Sequence, residues 1–444
     1  MYPDSSSQSA ALYERAKRSL PGGNTRTTVY MSPYPLYAAS GLGCRVTDLD
    51  GVERIDCINN FTSLIHGHAH PALVEAATCQ IQLGTTFGMP TPSEVYLAEL
   101  LSGRVRSMER VRFMNSGTEA VMMALKAARA YTGRPKIAKV EGSYHGSYDY
   151  AETSLDAEPS NWGEQAPNSI AYARGTPQGV LSDVVVLPFN DVVKAEELLR
   201  AHGPSLAAVL VDPVPNRVGL VPASKEFMSM LRRVTKDTGA LLVIDEVITL
   251  RLAIGGAQSM YDVVPDLTAA GKIIGGGFPV GAVGGSAEVM GVFDPSRGRP
   301  PVPHGGTFSA NPVTMMTGLT AMQLFDGAAI ERLGRFGDRL RSAINVAFAS
   351  TGIPGQATGV GSLLKVHFHN RPITDYRSAF PTPQQQRLMA RLTIKLLNNG
   401  VMTASYGLIA LSTAMTDSDI EQIAVAFRQA LTEIAAEGLE ANAG

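Results

Sequence analysis

Three short apolar runs, Ile137–Val140, Ala207–Val211 and Leu241–Ile244, alternate with stretches of helical periodicity, and this rhythm constrains the chain more than any other feature. Each run is β-rich and too short for a helix. Gly117–Tyr131, rich in Ala, Met and Leu and stopped by Gly133, reads as a helix, as does Ser224–Thr238. The alternation predicts an α/β fold built on a mostly parallel sheet flanked by helices. Such sheets bind ligands outside the carboxyl ends of their strands. Asp212 and Asp245 each follow an apolar run directly, so both fall at that edge.

On either side the pattern changes. Residues 8–19 read as a short amphipathic helix ending near Pro21-Gly22-Gly23, and 44–58 as two strands joined at Asp50-Gly51. Ser93–Val105 has helical periodicity, with Ser93 as the expected N-cap. Beyond Asn311, residues 313–350 are mainly helical. Strands at Leu363–Phe368 and Leu408–Ser412 then mix with helices over 383–398 and 417–437, the last opened by a capping box of Thr416 and Asp419. The polar, Pro-containing segment 369–382 reads as a surface loop. The expected organisation is an N-terminal segment (1–48), a large domain (49–311) and a smaller α+β C-terminal domain (312–444).

The net charge of −2, with no block of like charges, gives no reason to expect a nucleic-acid partner. No stretch approaches the roughly 20 uninterrupted apolar residues of a membrane span, and Met1–Leu20 lacks the apolar core of a signal peptide. Three cysteines, Cys44, Cys57 and Cys79, show no paired spacing. They read as small buried hydrophobes in a reducing compartment. The expectation is a soluble, cytoplasmic protein.

Four separated pieces carry the chemistry. Asn115-Ser116-Gly117-Thr118-Glu119-Ala120 opens a helix with small residues, leaving backbone N–H groups and the helix dipole available to an anion; alone it is also an ordinary capped helix. Gly142-Ser143-Tyr144-His145-Gly146 follows a strand, and Tyr144 there suits stacking on a flat heteroaromatic ring as well as burial in a turn. His145 fits a structural role better than a catalytic one. In Leu241–Val247, Asp245 ends a buried strand and needs a partner. A pyridinium N–H would serve, and a carboxylate beside it is what pyridoxal-phosphate chemistry requires; a metal ligand or a helix cap are the alternatives. Finally, Ala269–Gly277 places Lys272 in an apolar setting just before Gly275-Gly276-Gly277, where burial would make it a usable amine nucleophile. Lys272 follows Asp245 by 27 residues, and the combination is far more demanding than any one piece.

On these residues the chain resembles the class III aminotransferases of the type I pyridoxal 5′-phosphate (PLP) fold, with likeness to glutamate-1-semialdehyde 2,1-aminomutases and β-phenylalanine aminotransferases. The likeness runs from Pro21-Gly22-Gly23-Asn24 to the last helix, through His68-Ala69-His70-Pro71 and Gly306-Thr307-Phe308-Ser309-Ala310-Asn311-Pro312. The resemblance implies that Lys272 holds PLP as a Schiff base and shuttles protons, and that Asp245 pairs with the pyridine nitrogen. Tyr144 and Val247 would flank the ring. Ser116, Gly117 and Thr118 would form the phosphate site, completed by Thr307 of the neighbouring subunit, so that a homodimer shares its active sites. Residues 49–311 would then be the PLP-binding domain.

Arg26 matches an arginine that grips a substrate carboxylate in β-phenylalanine aminotransferases, a task suited to its planar fork. The family's usual Glu-Pro is Asp212-Pro213 here. Asn216 or Arg217 would contact the cofactor's phenolic oxygen or a carboxylate, or Arg217 is a solvent-exposed loop residue. Tyr406 stands where one relative has a second arginine and the other a gating glutamate; with Phe61 and Phe87 it would give the pocket an aromatic side. The expected activity is transfer of an amino group from a carboxylate-bearing amine, a β-amino acid among the candidates, to a keto-acid acceptor. A PLP-dependent isomerase, an aminomutase or racemase, is the alternative.

Overall fold

A computed structural model describes residues 1–439. By internal contacts they form two compact units. One comprises Ala72–Arg332 with Arg371–Phe380; the other comprises Met1–Pro71, Leu333–Asn370 and the chain from Pro381.

The first unit is built on a seven-stranded sheet. Its spatial order is Arg110–Met114, Gly281–Gly285, Leu267–Gly271, Leu241–Asp245, Leu206–Val211, Lys136–Val140 and Val184–Leu187. Only Gly281–Gly285 runs against the others, so the sheet is mostly parallel, as the alternation predicts. Side chains alternate across it. Ala208, Leu210, Leu241 and Val243 pack with the helix Gly117–Thr132 on one face. Val209, Val211, Leu242 and Ile244 pack with the helix Lys225–Thr238 on the other. A parallel strand covered on both faces must be apolar throughout, which is why these runs stand out in the sequence. Ser116 caps the Gly117–Thr132 helix by accepting the Glu119 N–H at 3.1 Å, and left-handed Gly133 ends it.

The second unit holds two small sheets. Ala38–Leu42, Arg45–Asp48 and Glu53–Asp56 form an antiparallel meander, and Val401–Met402 joins its edge in parallel. Gln356–Val360, Leu363–His367 and Leu408–Ala410 form a three-stranded antiparallel sheet. Helices Pro383–Asn398 and Asp417–Glu437 lie where periodicity places them, the latter with the Thr416–Asp419 box.

Four expectations need correction. The first helix stops at Ala16. The helix expected from Ser93 spans Pro92–Arg104 with Thr91 as N-cap. Pro92 takes the first helical position, where its missing N–H costs nothing, and Ser93 lies buried in the first turn. Segment 369–382 is not a plain surface loop: Tyr376–Ala379 is a helical turn, and Tyr376 is buried with its hydroxyl donating to the Ala157 carbonyl at 2.8 Å. Arg377 pairs bidentately with buried Glu141 at 2.8 and 3.0 Å. Polar composition hides such partners because they lie far away in sequence. Lastly, Cys44 and Cys57 are buried but Cys79 is exposed. It sits on the Pro71–Leu83 helix, which also exposes Val74, Ile81 and Leu83.

Candidate active site

The parallel register sets the first two groups. Asp245 ends its strand opposite Ala269 of the neighbouring strand, and Lys272 follows that strand's last residue, Gly271. Val211 pairs with Ile244, so Asp212 emerges beside Asp245. Lysine and aspartate thus meet at the carboxyl edge of adjacent strands. Lys272 adopts a left-handed backbone, with φ of 52°. For a non-glycine residue this costs roughly 1–3 kcal/mol and is found mostly where function requires it. Burial lowers the Lys272 amine to about 8; Asp245 and Asp212 oppose the fall and Arg251 adds to it.

Asp245 is 4% exposed. One carboxylate oxygen accepts the Val247 N–H at 3.0 Å, and the other lies 2.7 Å from His145 Nδ1. Burial holds the His145 pKa below its ordinary value. Facing a carboxylate oxygen, Nδ1 is the ring nitrogen that donates, while Nε2 is buried without a hydrogen-bond partner. Burial and the neighbouring Asp245 push the Asp212 carboxyl well above the usual range. Two adjacent acids thus differ: Asp245 accepts a hydrogen bond from a histidine, and burial and Asp245 push the Asp212 carboxyl toward its protonated form. Glu246, next in sequence, serves the fold, accepting from the Thr249 hydroxyl and the Ala257 and Gln258 N–H groups at 2.6, 3.0 and 2.8 Å.

Around this edge the backbone comes unusually close. A Cβ on Gly117 would sit 2.9 Å from Val247 Cγ1, and one on Gly271 would sit 3.6 Å from the Gly117 Cα. The Thr118 hydroxyl accepts the Ser147 N–H at 3.2 Å. The helix N-terminus, Val247, the Tyr144–Ser147 loop and the end of the lysine strand therefore share one small region. The Gly117 and Thr118 N–H groups have no carbonyl within their own helix, and the dipole there favours an anion. The Ser116 hydroxyl is committed to its cap. Tyr144 is half-exposed at 50%. These groups fit PLP: an amine for its aldehyde, a carboxylate for its ring nitrogen and a helix N-terminus for its phosphate.

Arg217 pairs with Asp156 and donates to the Leu155 carbonyl at 3.3 Å. Thr307 is on an exposed stretch beside exposed Phe308, although neighbouring Gly306 passes near Asn115. Phe87 is half-exposed and packs over Gly84.

Arg26, Phe61 and Tyr406 belong to the second unit. Tyr406 is half-buried, with the Lys365 ammonium 5.6 Å from its ring. Arg26 donates from Nη1 to Asn60 Oδ1 at 2.7 Å and stands 5.7 Å from the Phe61 ring centre. Asn59, Asn60, Phe61 and Thr62 all have positive φ, at 49°, 45°, 54° and 78°. Left-handed helical backbone costs roughly 1–2 kcal/mol per residue and is rare in consecutive non-glycines. Asp56 holds the turn by accepting the Ile58 and Asn59 N–H groups at 2.8 and 2.9 Å, and His68 Nε2 braces Asp56 at 2.8 Å. The Asn59 amide donates to the Ala410 carbonyl at 2.8 Å. Sequence reasoning missed both this turn and the His145–Asp245 pair. The Asn59-Asn60 dipeptide, the residue type most tolerant of such backbone, was the available signal for the turn.

Comparison with known proteins agrees with this chemistry. The sequence model of the family Aminotransferase class-III matches residues 28–431. Glutamate-1-semialdehyde 2,1-aminomutase 2 from Brevibacillus brevis is 39% identical over 431 residues, 96% of this chain and 98% of its own. The crystal structure of an omega-transaminase from Sphaerobacter thermophilus superposes with a TM-score of 0.95 at 52% identity, covering 98% of this chain and 99% of its own. A β-phenylalanine aminotransferase from Variovorax paradoxus superposes with a TM-score of 0.85 at 34% identity, over 95% of this chain and 93% of its own.

Proposed function

Because this chain belongs to the class-III aminotransferases and is a PLP-dependent enzyme working by Schiff-base chemistry, we propose that it moves an amino group from a carboxylate-bearing amine of the β-amino acid type to a keto-acid acceptor. The observation that carries this reading is the meeting of the Lys272 amine and the His145-braced Asp245 carboxylate at neighbouring strand ends, beside the N-terminus of the Gly117–Thr132 helix. The 52% identity to an omega-transaminase over nearly the whole chain favours transfer over rearrangement.

When bound, PLP supplies an aldehyde for amines to condense with and an electron-poor ring that takes up the electrons left when a proton leaves the amine-bearing carbon. The chain's own residues do the rest. Lys272 Nζ would hold the cofactor through its aldehyde and, when freed, would act as the base that takes the proton from the donor's amine-bearing carbon and as the acid that gives one back. An amine with a pKa of about 8 can do both near neutral pH. Asp245 holds a proton on the ring nitrogen, and His145 holds Asp245. Gly117 and Thr118 take the phosphate through backbone N–H groups and the Thr118 hydroxyl. Tyr144 and Val247 flank the ring and limit water. Arg26 takes the donor's carboxylate, with Arg217 and Tyr406 as further substrate contacts. Thr307 completes the phosphate site of a second copy in a homodimer. Exposed Leu83, Met89 and Phe308, at 76%, 72% and 58%, are apolar residues that such a contact would cover.

Lys272→Ala is expected to lower turnover at least about 10³-fold and to remove the visible Schiff-base absorbance of the holoenzyme; retained activity would refute the scheme. A panel of α-, β- and ω-amino acids and plain amines, scored by loss of that absorbance, identifies the donor. The second reading is an isomerase, favoured by the aminomutase relatives. Incubation with a single amine and no acceptor separates the two: rearranged or racemised product identifies an isomerase, and a single half-turnover identifies a transferase.

A further inference from the structure

We infer that Asn60 and Phe61 are positioning residues that aim the Arg26 guanidinium at the donor's carboxylate, and that the left-handed turn Asn59–Thr62 exists to bring both of them to it. The inference rests on the reading of Arg26 as the carboxylate's partner. In an extended segment, consecutive side chains face opposite ways. Curled in this turn, Asn60 and Phe61 reach one guanidinium, the first through a hydrogen bond of 2.7 Å and the second with its ring 5.7 Å away.

The turn is held from below rather than by Arg26. Asp56, His68 and Asn59 fix its start, and Asn59 is fully buried. Asn60 and Arg26 are exposed by contrast. The Asn60 amide nitrogen donates to Ser63 Oγ at 3.1 Å, which fixes which end of the amide faces arginine. Backbone strain that runs from buried Asn59 to buried Thr62 and presents exposed Asn60 between them marks a place where geometry serves something outside the fold. Among the described residues Arg26 makes this one hydrogen bond, through Nη1. Its Nε–H and Nη2 edge keeps the parallel donors that a carboxylate takes bidentately. A long, exposed arginine ordinarily samples many rotamers. Tying Nη1 and laying the plane near a ring removes that freedom before substrate arrives, which raises affinity without a new contact to the ligand.

The test compares 3-amino-3-phenylpropanoate with 1-phenylethylamine, the same amine without its carboxylate. Native holoenzyme is compared with Asn60→Gly, Phe61→Leu and Arg26→Gln. Glycine adopts the left-handed backbone freely, so Asn60→Gly removes the amide without straining the turn, and circular dichroism verifies the fold. The preference for the carboxylated donor, as the ratio of the two kcat/KM values, is expected to fall about tenfold in Asn60→Gly, on the scale of one charge-assisted hydrogen bond, and severalfold in Phe61→Leu. The fall should lie in KM rather than kcat. Calorimetric binding of 3-phenylpropanoate, which has no amine to react, should weaken in parallel. If Arg26→Gln erases the preference while Asn60→Gly and Phe61→Leu keep it, the positioning role is overturned and the role of Arg26 stands. If Arg26→Gln also keeps it, or the native enzyme neither prefers nor binds the carboxylates, the reading of Arg26 falls and the inference falls with it.

Discussion

A lysine in water holds its proton until pH is well past 10; burial brings Lys272 down to about 8, against the pull of Asp245 and Asp212. Only the free amine attacks an aldehyde, so the rate at which apoenzyme takes up PLP should climb with pH and level off above about 8, followed by stopped-flow absorbance. Asp245 favours the ammonium form, so Asp245→Asn should move that midpoint down; an upward move would contradict the assigned electrostatics. His145→Phe removes the N–H that Asp245 accepts at 2.7 Å. A hydrogen bond to a buried charge contributes about 1.5–3 kcal/mol, so kcat should fall roughly 10- to 100-fold, with less loss in His145→Asn, which can still donate. Lys272 and Asp245 were legible because each announces itself locally, an acid ending an apolar run and a lysine before glycines. The His145–Asp245 bond was not, since it joins residues 100 positions apart. Nor does composition show that Arg217 answers Asp156 within its own unit.

Elements were legible wherever period and caps agreed. The helices at 117–132, 225–238, 383–398 and 417–437 follow this rule. Reading failed where an element depends on a distant partner. The turn Tyr376–Ala379 is stabilised by Glu141, Ala157 and the Trp162 and Gly163 carbonyls, all more than 200 residues upstream. Arg377→Met would leave Glu141 as a buried charge without its cation, at a cost of about 3–5 kcal/mol, and thermal unfolding should show a clearly lower midpoint. Because burial already raises the Glu141 pKa, acid should protonate it and shrink that difference between variant and native protein. The antiparallel strand Gly281–Gly285 makes a second, steric prediction. A Cβ on Gly281 would lie 1.9 Å from the Ser116 carbonyl oxygen. Backbone cannot swing aside as a side chain can, so Gly281→Ala should displace the helix N-terminus, destabilise by about 1–3 kcal/mol and weaken PLP affinity, measured by equilibrium dialysis.

At the level of the whole molecule, the mostly parallel sheet was foreseeable because strands covered on both faces must be apolar throughout. The composition of the second unit from separate stretches was not, because short strands such as Val401–Met402 carry almost no local signal. If the exposed apolar residues mark a contact between copies, Leu83→Glu with Met89→Glu should shift the mass measured by light scattering toward the monomer and loosen PLP. The pairing of Glu53–Asp56 with Val401–Met402, and the hydrogen bonds of 2.7 and 2.8 Å between the Tyr2 backbone and Asn398, join the beginning of the chain to residues near its end. On the ribosome, the stretch from Ala72 to Arg332 can start collapsing as it emerges, but the first seventy or so residues must wait for partners made some 350 codons later. During that delay the meander's open edge is exposed to other strands, so a nascent chain stalled before Val401 should be the form that chaperones and proteases find first.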